Sequence, residues 1–414
     1  MNKIVSALTG TGNLPARLAI PALMSVLLLG SVVLMGACSK DAEDPVFPVP
    51  PKTEPRNYLY DVFGTAPNNV WACGARGVMF HYNGNTDSTW TLVPTGATTD
   101  ITDIWGPGDG SLYAVGHRGR IWRNSGMTWS SMESGTTMDL YSLGQFDGVI
   151  HAAGFEGTLR RLNGSTWGGA PTRMMILDEN DAPTDTLTFA EDLASLTTVN
   201  SYFVGGAFKD PDFVGERIGT EGTLGMVLAP NEVDTLDTDW ILRPISGEQV
   251  VPDEWVYCTT SDPVTLSRNY LGTSEGWLFR LTEDRGKKVW SKYFPSVTSD
   301  PGRGIRDIWL DGLNNVYMVT DEGTVVFQNA DYKFGDPGAV REVLYDGPAS
   351  LVAIWGTSPD NLFIVGDIDD TLLRCSHNTA TGEFTVVPIK VVFPEAKAFA
   401  EGMALDKFGH PLPR

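Results

Sequence analysis

The sequence predicts an all-β protein, a β-propeller of seven four-stranded blades, with eight blades as the alternative. Three observations support this prediction: a unit of short strands repeats along the chain, glycine turns stand at fixed places within it, and no helical periodicity of useful length follows residue 37. A period of about 40 to 50 residues is typical of propeller blades. Such blades are apolar on both faces, and radial stacking buries both.

A charged residue followed by glycine marks each repeat, between the predicted second and third strands of a blade. Successive marks are 42, 38, 65, 54, 47 and 47 residues apart. The glycines are expected to adopt the positive φ that tight turns require. The marks are Arg76-Gly77, Arg118-Gly119, Glu156-Gly157, Glu221-Gly222, Glu275-Gly276, Glu322-Gly323 and the degenerate Asp369-Asp370.

Short runs of aromatic and β-branched residues surround each mark, and Gly, Asn or Asp bounds them, as is typical of strands and hairpins. Each blade is expected to open with an apolar strand, as at residues 59–63, 101–105, 305–309 and 351–355. Trp90, Trp129 and Trp167 indicate fourth strands. Residues 399–412 are expected to form a strand that closes the ring against blade one, although they could also begin an eighth blade.

The N-terminal segment carries two charged residues, Lys3 and Arg17, and an apolar run from Leu18 that ends in Gly36-Ala37-Cys38. This end resembles the lipobox of bacterial lipoprotein signal peptides. The resemblance implies cleavage of residues 1–37, attachment of lipid (the palmitate class) to Cys38 and, since Ser39 follows, location at the outer membrane of the cell envelope. The alternative is an uncleaved membrane helix, because about 20 apolar residues can span a bilayer.

The remaining chain divides into a Pro-rich tether, residues 38–57, and the propeller, residues 58–414. The formal net charge is −21, and it becomes −23 after removal of the N-terminal segment, which holds two basic and no acidic residues. Such a surface repels nucleic acid and anionic lipid head groups, which excludes both as partners. Contact with the membrane is expected through the lipid anchor.

The residue before each mark glycine should occupy the same turn of every blade. Two neighbouring blades carry cations there and five carry acids: Arg76, Arg118, Glu156, Glu221, Glu275, Glu322 and Asp369. Inserts at residues 178–192, 207–218 and 231–239 enlarge blades three to five, on the acidic side. Because loops on a rigid scaffold concentrate binding residues, this side is the predicted binding face. The alternative is that the turn residues are solvated charges.

The repeat resembles bacterial propeller repeats of the DVWAVG type, which are loosely related to Asp-box and photosystem-assembly-factor propellers. The phrases that support the resemblance are 69–74 (NVWACG), 112–116 (LYAVG) and 362–366 (LFIVG), with a partial Asp-box at 122–129. The resemblance implies a binding or assembly scaffold. It does not imply sialidase chemistry, because the arginine set of those enzymes is missing.

Two function classes remain. The first is a non-catalytic lipoprotein that binds a protein or a glycan at the cell envelope; the second is a glycan-active hydrolase or lyase on the same fold. The sequence contains no P-loop, nucleophile elbow or His-Glu-x-x-His motif. An enzyme would need a convergent pair of carboxyl groups, which the sequence cannot identify. No cofactor is predicted, and the acids at 178–185 favour a solvated loop over a Ca²⁺ site.

Three cysteines follow Cys38, so at least one is unpaired within the chain. Cys73 is expected on the second strand of blade one and Cys375 on the third strand of blade seven. These blades are neighbours in a seven-bladed ring, and a disulfide between the two cysteines would lock it. The alternative is three buried thiols.

Overall fold

The computed structural model describes residues 57–84, 89–146, 148–170, 173–177, 183–189, 193–199, 204–208, 225–230, 240–243, 255–261, 268–284, 287–294, 304–313, 315–329, 340–366 and 371–393. The predicted signal peptide, Cys38, the tether up to residue 56 and residues 399–412 lie outside this set, so those predictions stay predictions. Within the described residues, no helix is long and apolar enough to cross a membrane.

The first three blades are four-stranded antiparallel sheets whose strands follow chain order. Blade one contains β1 (Leu59–Ala66), β2 (Asn69–Gly74), β3 (Met79–Tyr82) and β4 (Thr91–Leu92). Blade two contains β5 (Ile101–Trp105), β6 (Tyr113–Gly116), β7 (Arg120–Ser125) and β8 (Thr128–Met132). Blade three contains β9 (Leu140–Phe146), β10 (Val149–Gly154), β11 (Leu159–Asn163) and β12 (Thr166–Gly169). Single 3₁₀ turns span Ala75–Gly77 and His117–Gly119.

Blade four is a six-stranded sheet. Its strands are β13 (Arg173–Leu177), β14 (Pro183–Thr188), β15 (Leu193–Val199), β16 (Val204–Phe208), β17 (Gly225–Pro230) and β18 (Trp240–Arg243). The strands β15 to β18 form the usual blade, and the β13–β14 hairpin adds to its outer edge through parallel pairing of β13 with β18. The acidic insert predicted to enlarge blade three therefore belongs, in its described part, to the sheet of blade four.

The last three blades return to four strands each. Blade five contains β19 (Val256–Ser261), β20 (Asn269–Thr273), β21 (Leu278–Asp284) and β22 (Lys287–Phe294). Blade six contains β23 (Ile305–Leu310), β24 (Asn315–Thr320), β25 (Thr324–Asn329) and β26 (Arg341–Asp346). Blade seven contains β27 (Leu351–Ser358), β28 (Asn361–Gly366), β29 (Leu372–Asn378) and β30 (Glu383–Pro388).

The ring closes by packing of blade seven against blade one. The inner strands β27 and β1 are in contact, and the rings of Phe63 and Trp355 lie 6.1 Å apart. Arg374 Nη1 in blade seven donates a hydrogen bond to the Tyr82 hydroxyl of blade one at 3.3 Å. Within the described residues both blades are built from consecutive strands, and the closure that they show depends on contact between the faces of the two blades.

Four blades have a glycine at the end of the second strand, and blade four has one within it, because the backbone of the same blade comes very close there. A Cβ on Gly116 would lie 2.1 Å from the carbonyl oxygen of Asp100, just before the inner strand. The same clash would arise at Gly74, Gly154, Gly206 and Gly366. This explains the glycine that ends each NVWACG-like phrase. Its φ is not left-handed, so close approach rather than turn geometry selects it.

Candidate functional site

Each inner strand has a β-bulge near its start, and the residue after the bulge occupies an equivalent position in every blade. The bulge lies between Leu59 and Asp61 in blade one and between Ile101 and Asp103 in blade two, with matching shifts in the others. We call the seven residues at this position the inner ring: Asp61, Asp103, Ser142, Thr198, Cys258, Asp307 and Ala353.

Five members of the inner ring accept a backbone hydrogen bond from the next blade. Ile104 N donates to Asp61 Oδ2 at 2.9 Å, and Leu143 N donates to Asp103 Oδ2 at 2.5 Å. Ile354 N donates to Asp307 Oδ2 at 2.9 Å. Hydroxyl oxygens take the same role in blades three and four, where the pairs are Val199 N to Ser142 Oγ and Thr259 N to Thr198 Oγ1. The inner ring therefore joins successive blades around the central axis.

Protein atoms surround the three carboxyl groups of the inner ring, although each residue keeps a small exposed fraction. Desolvation is the main reason why the pKa of Asp61 lies well above its ordinary value, and the neighbouring Asp103 adds to the rise. Burial also raises the pKa of Asp103, while hydrogen bonds from Asp61, Leu143 N and Ser142 oppose this. Burial raises the pKa of Asp307 to about 6. We infer that Asp61 is protonated and donates to Asp103.

Asp61 and Asp103 are the convergent carboxyl pair that an enzyme would need, but both groups already bind protein backbone. Each holds an amide of the following blade, and Ser142 and Thr198 make equivalent bonds without a carboxyl group. The pair therefore has a structural role shared with non-acidic members of the ring. Its visible signal in the sequence is the Asp-Ile or Asp-Val phrase of 61–62, 103–104 and 307–308.

One face of the ring carries the turns between second and third strands together with the starts of the inner strands; we call it the register-turn face. The first residue of these turns donates a backbone bond to the residue that precedes the inner strand of its own blade. Examples are His117 N to Asp100 O at 3.2 Å and Ser274 N to Trp255 O at 2.9 Å. These bonds fix the turns to the mouth of the central opening.

The residues predicted for the binding face lie on the register-turn face where the structure describes them. These are Arg76, Arg118, Glu156, Glu275 and Glu322, each in the turn between the second and third strands of its blade. Glu221 and Asp369 lie outside the described residues, as do 209–218 and 231–239. The shared turn agrees with the sequence-based placement, and participation in binding stays a prediction.

The mark glycines have the expected backbone conformation, and three of the residues before them also have an unexpected left-handed conformation. Gly77, Gly119, Gly157, Gly276 and Gly323 all have positive φ, which confirms the predicted role of the mark glycines. Arg76, Arg118 and Glu156 also have positive φ, at 60°, 61° and 51°. Their amides point to the next blade, where Arg76 N binds Asp100 Oδ1, Arg118 N binds Asp139 Oδ1 and Glu156 N binds Ala194 O. These bonds offset the cost of a left-handed residue.

The mouth of the central opening on the register-turn face is rich in aromatic residues. Among the described residues there, Phe155 and Trp255 are exposed, with 44% and 37% of their surfaces accessible. The Arg306 guanidinium lies 4.9 Å from the centre of the Tyr257 ring. Tyr60 donates its hydroxyl proton to Asp100 Oδ2 at 3.1 Å. No signal in the repeat pattern identified Phe155 or Trp255, because both differ from the residues at equivalent positions of other blades.

Of the two alternatives for the cysteines, the structure has three buried thiols: Cys73, Cys258 and Cys375 are separate, and no Cys73–Cys375 disulfide is formed. Cys73 packs towards blade two, beside Ile101 and Ile104. Cys375 packs towards blade six, beside Tyr317 and Val319. The two side chains thus point away from the interface between blades one and seven. Burial raises the pKa of all three thiols.

Among the described residues, no group of three or more His, Cys, Asp or Glu side chains is placed to hold a metal ion. Residues 178–182, which begin the acidic stretch weighed as a Ca²⁺ site, lie outside them. His377 is a packing residue: its Nδ1 lies 2.9 Å from the Tyr317 hydroxyl, and its ring contacts Phe327.

No protein-family model and no curated protein matches the sequence. Solved structures do match. YCF48 from Cyanidioschyzon merolae has a TM-score of 0.53 and 13% identity, covering 78% of this chain and 96% of that one. The chain folds as a β-propeller. A structure of YCF48 bound to a D1 peptide gives a TM-score of 0.50 and 13% identity, with 79% and 95% covered.

A third similar structure is the extracellular domain of a putative hybrid two component system, BT4673, from B. thetaiotaomicron. Its TM-score is 0.51 and its identity 13%, and the match covers 77% of this chain but 39% of that one. At these identities the likeness establishes the fold of this propeller and not its function.

Proposed function

We propose that this propeller is a non-catalytic binding scaffold of the bacterial cell envelope, anchored through lipid on Cys38, that holds a protein partner on its register-turn face. The main support for the proposal is that polar side chains inside the ring make contacts between blades. Asp61, Asp103 and Asp307 bind backbone amides of the next blade, so they are occupied in holding the scaffold together.

The register-turn face supports the binding half of the proposal. Its turns are fixed by backbone hydrogen bonds, yet it exposes Phe155, Trp255, Arg118 and Glu322 to solvent. A rigid frame with exposed aromatic and charged side chains is the usual composition of a protein-binding surface. One similar propeller, YCF48, is described as bound to a peptide, which is compatible with such a role.

The anchoring half rests on the sequence. The apolar run that ends in Gly36-Ala37-Cys38 fits processing as a lipoprotein, and the proline-rich tether then separates the propeller from the membrane. Ser39 after the cysteine fits the outer membrane. Whether the ring faces the periplasm or the cell surface does not affect the binding proposal.

The alternative, a glycan-active enzyme, requires carboxyl groups that can reach a substrate. In the described residues the convergent pair is Asp61 and Asp103, which serves the contacts between blades. We therefore favour the scaffold.

Two experiments test the proposal. Wild-type protein and Cys38→Ala are expressed in a diderm bacterium with a clickable palmitate analogue; only the wild type should be shortened and labelled. A photo-crosslinking residue is then introduced at Arg118 on the register-turn face, or at Glu383 on β30 as a control. Specific protein adducts from position 118 alone would support the scaffold, and equal labelling of Cys38→Ala would contradict the anchor.

A further inference from the structure

Blade four is bordered on the register-turn face by two exposed aromatic side chains. Phe155 belongs to blade three, and its backbone forms an isolated β-bridge with Ser195, near the start of blade four. Trp255 precedes β19 in blade five, at the position that Ser195 occupies in blade four. The Thr197 hydroxyl donates to the carbonyl of Val256, the residue after Trp255, at 2.6 Å. The two aromatics therefore lie on either side of the short stretch from Ser195 to Thr197.

An acidic residue stands beside each of these aromatics. Glu156 follows Phe155 directly in the turn of blade three. In blade five, Ser274 binds Trp255 twice, through its amide to the Trp255 carbonyl and through its hydroxyl from the Trp255 amide, and Glu275 follows it. Both glutamates keep part of their surface exposed. We call Phe155, Glu156, Trp255 and Glu275 the aromatic–acidic patch.

The two aromatic residues of the patch differ from the residues at equivalent positions in several other blades. The position of Phe155 holds Ala75 in blade one, His117 in blade two and Ser274 in blade five. The position of Trp255 holds Asp100 and Asp139 in blades two and three. The bond between the first turn residue and the residue before the inner strand is made by backbone atoms, so it forms equally with the smaller and polar residues at these positions. The fold therefore does not require a large aromatic at either place.

Exposed aromatics with neighbouring carboxylates fit one kind of ligand best. An aromatic ring attracts a cation through its negative face, and a nearby carboxylate adds a charge-assisted hydrogen bond. A net charge of −21 on the whole chain also increases the encounter rate with cationic molecules. Arg76 and Arg118, the cations of the register turns, belong to blades one and two and lie away from the patch, while the Arg306 guanidinium at the same mouth lies 4.9 Å from the centre of the Tyr257 ring.

We propose that the aromatic–acidic patch binds a peptide segment of a partner protein in which a large apolar side chain stands next to Lys or Arg. The apolar side chain would pack against Phe155 and Trp255, and the basic one would pair with Glu156 or Glu275. This inference rests on the proposed scaffold function and specifies its ligand chemistry. A neutral glycan could stack on the same rings but would gain nothing from the two carboxylates.

The test uses the full mature chain and fluorescein-labelled synthetic twelve-residue peptides. One peptide alternates Leu or Trp with Lys, a second replaces each Lys by Glu, and a third replaces each apolar residue by Ser and keeps Lys. Fluorescence anisotropy at low and high NaCl measures the affinity of each. We expect the first peptide to bind at least about tenfold more tightly than the other two, with an affinity that falls as salt rises.

Two double variants assign the site. Phe155→Ser with Trp255→Ser should weaken the first peptide about tenfold or more, as loss of aromatic anchors does in other interfaces. Glu156→Gln with Glu275→Gln should weaken it about threefold to tenfold and flatten the salt dependence. The control is Val387→Ser with Glu383→Gln, which removes one exposed apolar and one exposed acidic side chain from the outer strand β30 and should leave the affinity unchanged.

Several outcomes would overturn the proposal. Equal binding by the Glu-containing peptide, unchanged affinity of either patch variant, or displacement of the first peptide by a neutral oligosaccharide would each do so. Comparison with the crosslinking experiment separates this failure from failure of the scaffold. A partner captured equally by wild type and by the patch variants would leave the scaffold intact and remove the patch.

Discussion

The protonated carboxyl of Asp61 makes the stability of the propeller depend on pH. In the folded protein the pKa of Asp61 lies well above its ordinary value, mainly because the group is desolvated. In the unfolded chain an aspartate titrates near pH 4. The folded state therefore binds a proton that the unfolded state releases. This stabilisation is fully present below about pH 4 and is lost as the pH rises towards the folded pKa.

Asparagine at position 61 should remove this dependence. Its amide group can donate to Asp103, as the protonated carboxyl does, and its oxygen can accept the bond from Ile104 N. No proton has to be bound. The free energy difference between Asp61→Asn and wild type should therefore grow in favour of the variant by at most about 1.4 kcal/mol per pH unit above pH 4. Because Asp61 keeps part of its surface exposed, screening by solvent should reduce this value.

Thermal unfolding followed by tryptophan fluorescence at pH 5, 6, 7 and 8 measures the effect. The difference should increase from pH 5 upwards until the folded pKa of Asp61 is passed, and each 1 kcal/mol of it corresponds to roughly 2 °C in Tm for a domain of this size. Asp61→Ala should be less stable than Asp61→Asn at every pH, because it leaves Ile104 N without its acceptor at a cost of about 1–3 kcal/mol. Asp346→Asn, on the exposed outer strand of blade six, is the control.

The same substitution at Asp103 distinguishes the roles of the two carboxyl groups. Asp103 accepts bonds from Leu143 N, Asp61 and Ser142, whereas Asp61 accepts one from Ile104 N. In Asp103→Asn the negative charge lies on Asp61, which accepts fewer hydrogen bonds than Asp103 does. This variant should therefore be less stable than Asp61→Asn at every pH. A Tm difference between Asp61→Asn and wild type that stays constant from pH 5 to 8 would refute the reasoning.

Three further predictions follow from the contacts between and within blades. Gly116→Ala should lower stability by about 1–3 kcal/mol or more, since its Cβ would meet a backbone oxygen at 2.1 Å, whereas Gly169→Ala, whose nearest neighbour is 3.7 Å away, should cost little; equal Tm values would contradict this. Thr102→Val and Thr197→Val each remove a 2.6 Å bond to a carbonyl of the next blade, so each should cost about 1 kcal/mol, and the double variant should show the sum in urea unfolding. Cys73, Cys258 and Cys375 should resist alkylation in the folded protein and all react after unfolding without reductant; an unreduced Cys73–Cys375 peptide in mass mapping would refute this.

The repeat in the sequence was sufficient for the fold because local signals decide it. A mark glycine such as Gly119 indicates a turn with positive φ, and a short apolar run indicates a strand. A repeat period near 45 residues indicates radially stacked blades. Trp129 and Trp167 lie on fourth strands as expected, at β8 and β12. These inferences required no knowledge of which residues meet across the ring.

Contacts that join distant parts of the chain were not predictable in the same way. The parallel pairing of β13 with β18 joins segments separated by four other strands, so the acidic insert was assigned to the wrong blade. The inner ring contains Asp, Ser, Thr, Cys and Ala, so only its three aspartates leave a shared phrase in the sequence. The partners of five members are backbone amides, which no sequence pattern identifies. The disulfide hypothesis had the right neighbouring blades but ignored side-chain alternation: Cys73 shares the side of Trp71, and Cys375 that of Leu373.

The interface that closes the ring differs from the others in its chemistry. Ala353 occupies the inner-ring position of blade seven, so blade seven offers no side-chain oxygen there to blade one. Apolar packing replaces that bond, and the segment after β30 adds Ile389, Val391 and Phe393 to the same cluster. In a ring of seven blades, blade four lies opposite this interface. The aromatic–acidic patch beside blade four is therefore as far as the ring allows from the contact that completes it, and side chains there can change to suit a ligand without weakening closure.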